Sequence, residues 1–158
     1  MPVVQPSLWD FALAYYAEPQ VAEACVQLQD QYAVNVCLLI SLRWLDAREQ
    51  ALSEVDAEKL SAYIQTWAQE IVEPLRDVRR RLKSPLGHFV QDETQAQLRN
   101  LVKQAELLAE KKLLMEIERW LSDVVTLKCE PSPKNIARYL AQLKAPKDLI
   151  DLVQAQSH

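Results

Sequence analysis

Val36-Cys-Leu-Leu-Ile-Ser-Leu-Arg-Trp-Leu-Asp-Ala-Arg48 holds neither proline nor glycine and is apolar on nearly every side when wound as a helix. Asn35 stands immediately before it, a residue whose side-chain oxygen satisfies free N–H groups of a first helical turn. A helix that is apolar all round belongs at the centre of a fold, wrapped by other elements, because any face left in water would waste its burial. This segment therefore predicts an all-α domain built round one central helix.

The flanking sequence agrees. Ser7 is placed to cap a first helix with Leu8, Phe11, Ala12 and Tyr15 on one face, ending before Pro19. Pro19 suits the first turn of a second helix running to about Gln31, with Val21, Cys25 and Leu28 inward. Ser53 or Asp56 opens a long helix to about Lys83, whose stripe is Leu60, Ile64, Trp67, Ile71, Leu75, Val78 and Leu82. Pro74 interrupts that stripe and predicts a kink near Ile71. Ser84 to Gln91, with Pro85 and Gly87, reads as a loop, and Asp92 or Thr94 caps a helix reaching about Leu127. Two long amphipathic segments joined by a short loop predict an antiparallel helical hairpin. Its second helix carries Leu98, Val102, Ala105 and Ala109 as a stripe expected to pack on the domain. It also carries Leu107, Leu114 and Leu121, spaced by seven, as a stripe expected to stay exposed. Pro131 and Pro133 read as a stiff linker before two short helices, one with Ile136, Tyr139, Leu140 and Leu143, the other started by Pro146. The expectation is one domain over 1–158: a main bundle at 7–127 and short C-terminal helices at 131–158.

Composition excludes more than it assigns. The chain has 158 residues, of which 49% are hydrophobic and 25% charged, a globular balance. One glycine, Gly87, leaves no phosphate-cradling loop, dinucleotide fingerprint or nucleophile elbow. His88 and His158 are too few for histidine-based zinc sites, and no cofactor or metal site is expected. Cys25, Cys37 and Cys129 have no metal-ligand spacing and read as small buried hydrophobes in a reducing compartment. The start, Met-Pro-Val-Val-Gln-Pro, has no basic and apolar signal regions, and the run Val34–Leu45 would span only about 18 Å as a helix. The expectation is a cytoplasmic protein without a membrane span. Residues 1–58 carry nine acids against two bases, and 59–158 thirteen against sixteen. That positive excess is too mild to announce nucleic-acid binding.

Three groups of residues compete for a functional role. Arg76, Arg79, Arg80, Arg81 and Lys83 form a basic face for an anion or an acidic partner, or else a solvated face. In the solvated reading Glu73 pairs with Arg76, and Asp77 with Arg80 or Arg81, along the helix. Leu107, Leu114 and Leu121 form the candidate contact stripe, for a protein partner or a two-fold homodimer. Arg43 sits inside the apolar helix and calls for a buried pairing with Asp10, Asp30 or Asp46, or for a small ligand. Glu70, Glu73, Asp77, Glu106 and Glu110 lack the histidines of a di-iron bundle and read as surface carboxylates. His88 has no nucleophile motif beside it.

Ser7-Leu-Trp-Asp-Phe-Ala-Leu-Ala-Tyr-Tyr16 and its continuation to Asp30, Val34-Asn-Val-Cys-Leu-Leu39, Trp67 through Val72, and Pro74-Leu-Arg-Asp-Val-Arg-Arg-Arg-Leu-Lys83 together resemble an uncharacterised proteobacterial all-helical family of unknown function. The likeness covers about residues 7–86. It implies a bacterial protein and brings no activity or catalytic residue with it. The functional expectation is a non-enzymatic interaction or regulatory protein using an exposed helical surface. The alternative is a small-ligand or phosphate- or lipid-binding protein using Arg43 or the Arg76–Lys83 face.

Overall fold

The computed structural model describes residues 6–123 and 127–154. The elements run α1 (Leu8–Tyr16), α2 (Pro19–Tyr32), α3 (Val36–Ala47), β1 (Gln50–Ala51), α4 (Glu54–Trp67), a π turn (Ala68–Val72), α5 (Glu73–Arg81), α6 (Glu93–Asp123), β2 (Lys128–Cys129), α7 (Asn135–Gln142) and α8 (Lys147–Gln154). The fold is all-α, as the sequence predicts, with a two-residue antiparallel strand pair that it does not announce: Gln50 lies opposite Cys129, and Ala51 opposite Lys128.

Caps fall where short polar side chains precede apolar runs. Ser7 accepts from the Asp10 N–H, Asn35 from Leu38, Ser53 from Asp56 and Asp92 from Gln95. With a single glycine, left-handed turns fall also to Ala33, Glu49, Ser132 and Lys144, at φ between 49° and 60°.

Helix α3 is the hub. Every residue from Cys37 to Leu45 is buried, and α1, α6, α7 and β1 all touch the helix. Ser41 is tolerated there because its hydroxyl donates 2.7 Å to the Cys37 carbonyl of its own helix. The linker expected at Pro131–Pro133 leads back into the body. Asp46, at the end of α3, accepts the N–H groups of Asn135 (3.0 Å) and Ile136 (3.2 Å) and so caps α7 from a distance. Buried Asn135 accepts from the Leu52 N–H and donates to the Gln50 carbonyl. Ile136, Leu140, Leu149 and Val153 join the same core as α1–α3, so the C-terminal helices share the main bundle's core.

The expected helix from Ser53 to Lys83 is interrupted by the π turn, and not by a simple kink. The Glu73 N–H donates five residues back, to the Ala68 carbonyl, just before Pro74. A proline ring crowds the carbonyl four residues earlier, and the wider turn gives it room. The extra residue shifts the helix phase by one position. Val72 is buried where Ile71 was expected, Val78 is exposed, and Arg76 and Arg79 turn inward.

Helix α6 begins at Glu93. The end expected near Leu127 falls beyond residues 124–126, which lie outside the described residues. The antiparallel hairpin forms as expected: Trp67 Nε1 donates to the Ala109 carbonyl (2.9 Å), and Gln95 Nε2 to the Leu82 and Ser84 carbonyls (3.1 and 2.9 Å).

Candidate interaction surface

Two faces of the hairpin correct the sequence reading. Leu107 is exposed, but Leu114 and Leu121 are 2% and 3% exposed and belong to the core. From Glu106 onward α6 is flanked by α1, whose Leu8 N–H donates to Glu118, and by α4, whose Tyr63 donates to Glu116. Covered from two sides, this half of α6 buries a wide arc that includes the adjacent pairs Leu113–Leu114 and Trp120–Leu121. Leu98, expected to pack on the domain, is instead exposed. The open stripe of α6 is Leu101, Leu108 and Met115, also spaced by seven. That repeat was available in the sequence, but only the packing of α1 and α4 decides which repeat faces water.

The basic face divides. Arg79 grips Glu106 with both ends of its fork, Nε at 2.5 Å and Nη2 at 3.3 Å. Arg76 lies 3.6 Å from Glu106 and 3.9 Å from Glu110. Arg80 reaches Asp30 of α2 at 2.8 Å. The pairs expected along the helix, Glu73–Arg76 and Asp77 with Arg80 or Arg81, are not formed, because the π turn has rotated these arginines toward α6 and α2. Glu106 is a buried carboxylate, contrary to the surface role expected of it. Arg81 and Lys83 have no ion-pair partner among the described residues and remain at the open end of α5.

Arg43 is buried, and its Nε has no hydrogen-bond partner among the described residues. None of Asp10, Asp30 or Asp46 forms a salt bridge with it among the described residues: Asp30 is engaged by Arg80, and Asp46 by the N-terminus of α7. A concavity of about 210 Å³ between α3, α4 and α7 is bordered by Leu42, Leu52, Glu58 and Arg138 and not by Arg43. Cys25 and Cys37 are buried as expected, while Cys129 is exposed. Burial pushes the Cys25 thiol up to about 12, so it stays protonated and inert. Among the described residues no group of three His, Cys, Asp or Glu side chains is placed to hold a metal ion.

Glu110 beside the arginine pair is the titratable feature of this joint. Burial, reinforced by the neighbouring Glu106 charge and opposed by Arg76 and Arg79, pushes its carboxyl up to about 7 from 4.5. The folded chain then holds a proton that the unfolded chain has released, so stability falls as pH rises from 4.5 to 7 and is level above that. With a side chain 31% exposed the effect is discounted for solvent screening. Glu110→Gln is expected to raise Tm by about 4 °C at pH 8 and to leave it unchanged near pH 4.5. Equal Tm gains at both pH values would show that the carboxyl does not titrate in this window.

The far end of the hairpin is the remaining open region. No residue from Lys83 to Ala105 is buried. Phe89 and Val90, adjacent in the loop, are 80% and 79% exposed, and Leu86, three residues before Phe89, is exposed too. The loop is nonetheless tied down: Gln91 Nε2 donates to the Lys83 carbonyl (2.9 Å), Gln95 adds its two bonds, and the Phe89 N–H closes a turn on Leu86. The apolar tip is held out from the body by hydrogen bonds and not by packing. Its sequence signal was two adjacent apolar residues, with Leu86 nearby, in a loop between helices, overshadowed by His88.

A protein-family model matches residues 7–117, from the cap of α1 to Ile117 of α6. The chain belongs to DUF2390, a family described as a protein of unknown function. The DUF2390 match takes in the whole hairpin tip and the joint at Glu106 and stops before α7 and α8. It extends past the residue 86 limit of the sequence resemblance. Neither the curated proteins nor the solved structures yield a match. No helix among the described residues of this DUF2390 chain is long and apolar enough to cross a membrane.

Proposed function

We propose that this chain is a non-enzymatic protein of the bacterial cytoplasm that docks on a partner protein through the tip of its α5–α6 hairpin. The observation that carries this reading is the contiguous unburied stretch from Lys83 to Ala105, with Phe89 and Val90 displayed at its end. An exposed aromatic beside a second apolar residue has the character of an interface anchor, and a loop already held by hydrogen bonds loses little entropy on docking. Arg81 and Lys83, without ion-pair partners among the described residues, suit an acidic rim round the apolar socket that receives Phe89. The family match supports the reading in a limited way, since it spans the tip and the joint.

A photo-crosslinking residue at position 89, expressed in the native cell, is expected to give one discrete adduct with another protein. Arg81→Glu with Lys83→Glu in that background should lower adduct yield about tenfold while leaving Tm unchanged. A position 89 probe that gives no adduct overturns the proposal.

A further inference from the structure

Away from the tip, α6 carries a second unpartnered surface with its own internal logic. Leu98, Leu101, Ala105, Leu108, Lys112 and Met115 alternate at spacings of three and four over 18 residues, about 27 Å of helix. At 100° per residue this seam lies roughly 135° round from the buried face formed by Glu106, Ala109, Leu113, Leu114, Ile117, Trp120 and Leu121. Leu101 and Leu108 are 61% and 65% exposed, Leu98 and Met115 about half, and Lys112 points to solvent, pairing with Glu116. It is the spacing of a two-helix seam with its second helix missing.

The seam is complementary to itself when reversed. We propose that a second copy of this chain packs α6 against α6 in antiparallel register, about a two-fold axis between Glu106 and Leu107. In that register Leu98 meets the partner subunit's Met115, Leu101 lies along the methylene stem of the partner subunit's Lys112, and Leu108 fills the space over the partner subunit's Ala105. Each layer thus sets a large side chain against a small, flexible or unbranched one, which packs without voids. The flanking positions also match: Gln97 faces the partner subunit's Glu118, and Gln104 the partner subunit's Lys111, so no like charges oppose each other. A parallel arrangement would place Lys112 against Lys112 and Leu108 against Leu108. The contact is isologous and closes on itself, as a two-fold dimer requires. It leaves the tips at opposite ends of the pair, so it stands independently of the tip's own partner.

Sedimentation equilibrium of the full chain tests both the dimer and its register. The wild type should run at about twice the 18.2 kDa chain mass. Leu108→Glu, facing Ala105, should run as a monomer with unchanged circular dichroism and Tm, because the side chain is exposed in the single chain. Leu101→Glu should remain a dimer, its carboxylate meeting the partner subunit's Lys112, and adding Lys112→Glu should split it. A monomeric wild type at 100 µM would assign the seam to another protein's helix and overturn the proposal. So would a Leu108→Glu dimer, or a Leu101→Glu monomer, since each contradicts the antiparallel register.

Discussion

Leu39→Ala is expected to lower the stability of the fold by about 4 kcal/mol, within the 2–5 kcal/mol typical of a leucine truncated in a core. Leu39 has no solvent exposure and lies mid-way along α3, the helix on which α1, α6, α7 and β1 all converge. Removing three carbons there loses their transfer free energy and leaves a cavity whose walls belong to several elements, each fixed by its own contacts. Asp46 and Asn135 hold α7 in place from the end of α3, and Glu118 holds the start of α1 on α6. Those tethers limit collapse into the gap, which is the condition for a cost in the upper half of the range. A urea titration should show a lower midpoint with the same slope, and Tm should fall by roughly 10 °C. Leu101→Ala, on the exposed seam, should change monomer stability by less than about 0.5 kcal/mol. A loss below about 1 kcal/mol for Leu39→Ala would mean that α3 is not the hub.

Short-range chemistry accounts for what was legible in the sequence. Ser7, Asn35, Ser53 and Asp92 cap helices because the bond each makes spans three residues, and Pro19 opens α2 because its ring already holds a helical φ. The central role of α3 followed from its composition, since no partner need be known to see that such a helix must be surrounded. Faces of the longer helices were less legible. The π turn at Ala68–Val72 breaks the phase of the hairpin's first arm, and this exchanged Ile71 for Val72 and Val78 for Arg79 on the inward side, while Leu75 stays half-buried and Leu82 buried. On α6 two stripes spaced by seven compete, and their fates depend on α1 and α4, which arrive from far away in the chain. Partner choice failed for the same reason. The arginines were assigned to carboxylates one turn away, whereas Arg79 reaches Glu106 across 27 residues of sequence and Arg80 reaches Asp30 across 50.

Glu106→Ala should be the most damaging polar substitution, costing about 3 kcal/mol at pH 7. Its carboxylate is buried and takes the fork of Arg79 while lying beside Arg76, and both guanidinium groups are themselves less than one-fifth exposed. Removing one member of such a group leaves charge in a poorly hydrated place, and that residual charge dominates the loss. Part of the loss is recovered locally. Without Glu106 the repulsion on Glu110 disappears, so Glu110 ionises at lower pH and takes over Arg76, already 3.9 Å away. The variant should therefore show a smaller fall in stability between pH 4.5 and 7 than the wild type, with the part caused by burial of Glu110 remaining. A second substitution separates the pair from its surroundings: Glu106→Met with Arg79→Met, which replaces the charges with apolar bulk, should recover at least half of the lost stability. These groups join α5 to α6 just below the open arm, so the single variant should also speed hydrogen exchange in the first turns of α6 while sparing α3. Equal acceleration in both helices would show that the ion cluster holds up the whole bundle and not the arm alone.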